Sequence, residues 1–148
     1  MPVTFSYADR KLSLPYKRDL KQFISIVFKE EEYALESLNY VFCSDEFLLD
    51  INRRYLGHDY YTDIITFDLG EALSTIISGE VYISVDRVNE NAVLENVSFP
   101  DEMLRVMVHG ALHLCGYKDK KKSEIHLMRE KEDYYLRLYR KLAKYSNG

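Results

Sequence analysis

The stretch from Ser98 to Asp119, SFPDEMLRVMVHGALHLCGYKD, constrains this chain most, because it specifies a helix, two distinct faces and a stop. Ser98 and Asp101 form a capping pair, and Pro100 stands in the first turn, where a proline is tolerated. Leu104, Met107, Val108, Ala111, Leu112 and Cys115 then recur at three and four, giving one apolar stripe. At about 100° per residue, His109 and His113 fall off the centre of that stripe, on a second face with Glu102 and Val106. Histidines four apart leave a helix on one side, one turn apart, which is how helical pairs grip a transition metal. Such a pair is more often a helix surface or a satisfied core contact, but its place off the stripe argues against the core. Gly116 lets the helix end, and the loop behind it can swing Asp119 back toward the pair. Two imidazoles and one carboxylate leave a coordination position open, as in metals used for chemistry. His126 is the rival third ligand, and it needs the next helix to pack against the site.

The chain has 148 residues, enough for one domain spanning 1–148 with a core that needs no disulfide or metal staple. Its N-terminus shows no basic segment followed by an apolar run, and no stretch is long and apolar enough to span a bilayer. Cys43 and Cys115 fall on a strand and on the apolar stripe, without paired zinc spacing, so both are expected as buried free thiols. A cytoplasmic protein without a membrane partner is the expectation. The net charge of −4 argues against nucleic acid, yet the distribution does not. Residues 1–117 hold 10 basic and 19 acidic side chains, a balance of −9, while 118–148 hold 10 and 5, a balance of +5. The basic part opens with Lys118, Lys120, Lys121 and Lys122 beside Asp119, either a solvated surface or a patch that holds a polyanion.

Periodicity predicts a strand at 3–7, a helix from Leu14-Pro15 to about Glu32 and a strand at 37–44. A helix follows from a Ser44 cap to Tyr55, ended by Gly57, with Phe47, Leu48, Ile51 and Tyr55 as its apolar face. The β-branched run at 62–69 and the segment 79–84 are two further strands, joined by a connection at 70–78 that has the look of a mobile segment. Three helices complete the chain, at 84–97, through the histidine pair, and from Ser123 to near Tyr145. The expected fold is α+β, a mixed four-stranded sheet packed with about five helices.

The run HGALHLCGYKD resembles the signature of the YbeY family of bacterial endoribonucleases, HGxLHLxGYDH. Upstream, LDINRRYLGHDYYTDIITFDLG (49–70) resembles that family's LNxxYRGxDxPTDVLSF segment, and SGEVYIS (78–84) its GDIxIS strand. The resemblance implies a zincin-like (metallopeptidase-like) core and a single divalent metal, zinc, on His109, His113 and Asp119, the last standing where the family has a third histidine. It further implies cleavage of single-stranded RNA, maturation of the 3′ end of small-subunit ribosomal RNA, and ribosome quality control. The partners implied are ribosomal RNA, the small ribosomal subunit and a ribosome-associated GTPase. Leu56 stands where the family has an arginine, with Arg53 and Arg54 close by as possible RNA-binding stand-ins, and Lys118 replaces an aspartate. Asp63, in the family's Thr-Asp pair, is either a catalytic carboxylate behind the metal or a loop cap. Tyr60, Tyr61 and Tyr117 can stack bases or simply pack, and His58 reads as a surface residue. Zinc peptidases carry a glutamate base after the first histidine; Gly110 stands there, so peptide hydrolysis lacks its base. Endoribonuclease is the leading expectation, ahead of a non-catalytic metal-binding ribosome assembly factor and, third, a metallopeptidase.

Overall fold

A computed structural model describes residues 2–72 and 74–146, with the side chains of 144–146 left aside. In chain order the elements are β1 (Val3–Tyr7), α1 (Lys17–Glu30), β2 (Ala34–Cys43), α2 (Asp45–Leu56), β3 (Ile64–Asp68), β4 (Ile76–Ser84), α3 (Val85–Glu95), α4 (Phe99–Leu114) and α5 (Lys122–Ser146). The sheet order is β1-β2-β4-β3, with β1, β2 and β4 parallel and β3 antiparallel to β4. This is the mixed four-stranded sheet with five helices that the sequence pattern implies.

Helix α4 is the spine. It packs against α1, α3, α5, β3 and β4, and its stripe of Leu104, Met107, Val108, Ala111 and Leu112 is buried in the main core. Met103, Val106, Gly110 and Leu114 are buried too, so the helix is enclosed on most of its circumference. The buried Tyr40 hydroxyl donates to the Met107 carbonyl at 2.7 Å, tying α4 to the middle of β2. Gly110 sets how close α4 lies to the sheet: a Cβ there would meet Ile64 Cδ1 at 2.9 Å and Val81 Cγ1 at 3.0 Å. That approach holds His109 and His113 near the start of β3. On the opposite face, α2 covers a smaller cluster of Cys43, Leu48, Ile51 and Ile65.

Several boundaries differ from the sequence expectation, each for a local reason. Helix α1 starts at Lys17 because Tyr16, its N-cap, takes a left-handed conformation at φ 61° that breaks the run from Pro15. Strands β2 and β4 begin earlier than their β-branched centres suggest, since Ala34–Ser37 and Ile76–Ser78 pair with each other. The connection expected at 70–78 is therefore shorter; within it, Leu73 lies outside the described residues. In α2 the buried residues are Leu48, Leu49, Ile51 and Asn52, while Phe47 and Tyr55 are exposed. Asn52 is buried because its amide donates to the Tyr60 carbonyl at 2.9 Å. Both cysteines are buried and free, and burial pushes each thiol up to about 12. Among the described residues, no helix is long and apolar enough to cross a membrane.

Candidate metal centre

His109 and His113 project from the last two turns of α4 (Phe99–Leu114), as the four-residue spacing requires. Ser98 caps the helix by accepting from Asp101 N–H at 3.2 Å. The other end closes at Gly116, whose φ of 98° suits a residue without a side chain and lets Gly116 and Tyr117 N–H return to the His113 and Leu112 carbonyls. That reversal carries Asp119 back over the pair.

The three side chains converge. His109 Nε2 lies 2.9 Å from His113 Nε2, and Asp119 Oδ2 lies 3.2 Å and 3.3 Å from the two nitrogens. Ligands 2.0–2.1 Å from a tetrahedral ion stand about 3.3 Å from one another, so these edges describe one face of such a tetrahedron. The protons agree. His113 Nδ1 donates to the Tyr117 carbonyl at 2.9 Å, and His109 Nδ1 donates to Glu132 Oε2 at 2.6 Å. With both Nδ1 hydrogens committed, neutral rings turn two Nε2 lone pairs and a carboxylate oxygen on one point, a set that asks for a cation. His109, His113 and Asp119 together form a group able to hold a metal ion.

Glu132, on α5, is the residue that sequence reasoning missed. Its side chain is buried, and its second oxygen accepts from Arg105 at 3.0 Å, while Arg105 also donates to Asp133 at 2.7 Å. A carboxylate behind a ligating imidazole fixes its tautomer and raises its basicity. Burial alone would lower the His109 pKa, but Glu132 outweighs it, with Asp119 and Asp63 adding to the effect, so the ring lies above the ordinary histidine value. One signal was available: Glu132 interrupts the buried stripe of Met128, Tyr135 and Leu136 on α5.

The other expected residues separate clearly. Asp63, half-buried just before β3, lines two clefts of about 650 Å³ each that meet at His109 and Asp119. Burial raises its carboxyl above the ordinary range. His126 is exposed and pairs with Glu130 at 3.0 Å, so it takes no part in the triad. Arg53 binds Asp59 at 2.5 Å and Arg54 binds Asp50 at 3.1 Å; neither lines the clefts at the triad. Leu56 does line one of them, together with Lys120. Lys118, Lys120, Lys121 and Lys122 are all exposed; the Lys120 and Lys121 backbone N–H groups donate to Glu124 Oε1 at 3.3 Å and 2.9 Å, which leaves the ammonium groups turned to solvent.

An α+β fold whose spine helix presents two histidines, closed by a carboxylate and backed by a buried glutamate, defines a protein with a three-ligand candidate metal centre open to a cleft. The family model "Endoribonuclease YbeY" matches residues 4–140, and the chain belongs to the YbeY family. A Cytophaga hutchinsonii protein named endoribonuclease YbeY is 46% identical over 92% of this chain and 94% of its own length. One of the same name from Flavobacterium johnsoniae is 43% identical over 93% and 96%. The solution structure of TM1509 from Thermotoga maritima is similar in fold, with a TM-score of 0.65 at 26% identity, covering 96% of this chain and 93% of that one.

Proposed function

We propose that this chain is a zinc-dependent endoribonuclease that cuts single-stranded RNA and acts in the cytoplasm on small-subunit ribosomal RNA. The observation that carries the reading is the convergence of His109, His113 and Asp119 on one point, with both outer imidazole nitrogens hydrogen-bonded. Relatives named endoribonuclease along nearly the whole chain support the RNA substrate. His109, His113 and Asp119 would hold a divalent ion, which would supply Lewis acidity toward a phosphoryl oxygen and a more acidic bound water. The protein does the rest by positioning, which matters most in phosphodiester cleavage. Glu132 and the Tyr117 carbonyl fix the two rings. Asp63 faces both clefts at the triad and is the carboxyl suited to carry a proton there. Lys120 offers a phosphate contact on the cleft wall.

The small ribosomal subunit and a ribosome-associated GTPase are the partners this role entails. A peptidase is disfavoured because Gly110 leaves no base after the first histidine, and a side chain there would crowd Ile64 and Val81. Elemental analysis of the purified protein, paired with digestion of unstructured RNA with and without chelator, tests the reading. About one zinc per chain and chelator-sensitive cleavage are expected. RNA bound but left intact under every metal would favour an assembly factor, and digestion of a denatured protein that is lost in His109→Ala would favour a peptidase.

A further inference from the structure

His58 and Tyr60 leave the loop after α2 as a stacked pair. Their ring centroids are 5.2 Å apart, the planes lie 19° from parallel, and the Tyr60 hydroxyl and His58 Nδ1 share a hydrogen bond of 3.0 Å. Both side chains are exposed, Tyr60 at 56%, so no core explains the arrangement. The loop beneath them is nevertheless fixed. Buried Asn52 accepts from His58 N–H at 3.1 Å through its backbone carbonyl, and its side-chain amide donates to the Tyr60 carbonyl at 2.9 Å. Arg53 holds Asp59, the residue between the rings.

Both rings line the cleft that also contains His109, His113, Asp119 and Lys120. We propose that the His58–Tyr60 pair is a stacking platform for a base flanking the scissile phosphodiester of single-stranded RNA. This deepens the endoribonuclease reading and rests on it. Every base has a π-face, so a preformed aromatic pair gives affinity with little sequence preference. Among the described residues, that cleft is lined by one lysine and no arginine, with Leu56 on its wall, so stacking and Lys120 must do what a guanidinium would otherwise share. The other tyrosine candidates are engaged elsewhere. Tyr61 donates to Glu46 at 2.6 Å and is covered by Arg87, while Tyr117 donates to Glu31 at 2.6 Å and is covered by Lys131.

The test uses metal-loaded protein and a short unstructured RNA carrying 2-aminopurine, whose fluorescence is quenched by stacking. Quench is read on mixing, before cleavage, and KM and kcat follow from initial rates. Removing a base-stacking ring costs on the order of 5- to 150-fold per base. Tyr60→Ala and His58→Ala should therefore raise KM about tenfold or more and reduce the quench, with kcat within about twofold. Tyr60→Phe, which keeps the ring, should restore KM to within about threefold of wild type. The platform is overturned if both alanine variants keep the wild-type KM and quench, or if kcat falls while KM stays put. If wild-type protein leaves RNA intact but quenches, and the alanine variants lose that quench, the platform stands and the nuclease reading fails.

Discussion

Asp119 is the residue on which the metal centre is most open to challenge, because it is a carboxylate where the family's pattern has imidazole. Its Oδ2 stands at tetrahedral edge length from both Nε2 atoms, which makes it the candidate third ligand, while His126 pairs with Glu130 away from them. Asp119→Ala should lower metal affinity by more than the about 10- to 100-fold that loss of an outer hydrogen-bond partner costs. Asp119→His should retain the metal. It should also shift the activity profile to lower pH, because an anionic ligand has been replaced by a neutral one. His126→Ala should bind as wild type. Competition with a chromophoric chelator measures all three, and loss of metal in His126→Ala with retention in Asp119→Ala would move the third ligand to α5.

At the scale of elements, the question is what keeps the loop after α4 in register with α1 and α5. Glu31, at the end of α1, accepts from the Tyr117 hydroxyl at 2.6 Å, from the Tyr135 hydroxyl, and from Lys131 at 3.3 Å. Burial pushes its carboxyl up, but the two hydroxyls and Lys131 outweigh burial and hold it below its ordinary value of 4.5. A folded pKa below the unfolded one means stability that is present above about 4.5 and lost as pH falls through the folded pKa. Glu31→Gln should lower the unfolding free energy by about 1.5–3 kcal/mol near neutral pH, the range for hydrogen bonds to a charged group. The deficit against wild type should shrink as pH drops below 4.5. Urea titrations at both ends measure it, and an equal deficit at both would show that the charge of Glu31 is not what matters. Such ties between elements were the part the sequence could not display. The buried face of α1 and the stripe of α4 were legible, because each helix buries one continuous side whatever its neighbours are. Glu132 reaches His109 only through the packing of α5 on α4. The early ends of β2 and β4 form because they pair with each other, and the buried side of α2 shifts toward Asn52 because a loop needs its amide. The candidate metal group was readable for the opposite reason: the pair is fixed by helical periodicity and Asp119 is brought over it by a short turn.

Across the whole molecule, the net charge of −4 conceals a basic C-terminal part that begins at the loop carrying Asp119. Four exposed lysines there suit phosphate contacts. Reversing Lys120, Lys121 and Lys122 to glutamate should weaken RNA binding chiefly at low salt and reduce the slope of log K against log salt by up to about 2. An unchanged slope, read by fluorescence anisotropy across a salt series, would remove these lysines from the interface. The central claim is that the convergence of His109, His113 and Asp119 is what makes this fold cut RNA. The most direct measurement strips the protein of metal, returns zinc in substoichiometric steps, and follows the cleavage rate of an unstructured RNA beside that of His113→Ala. The rate should be near zero without zinc and rise in proportion to occupancy up to about one ion per chain, with no rise in the variant. Cleavage that ignores occupancy, or that survives in folded His113→Ala at the wild-type rate, would contradict it.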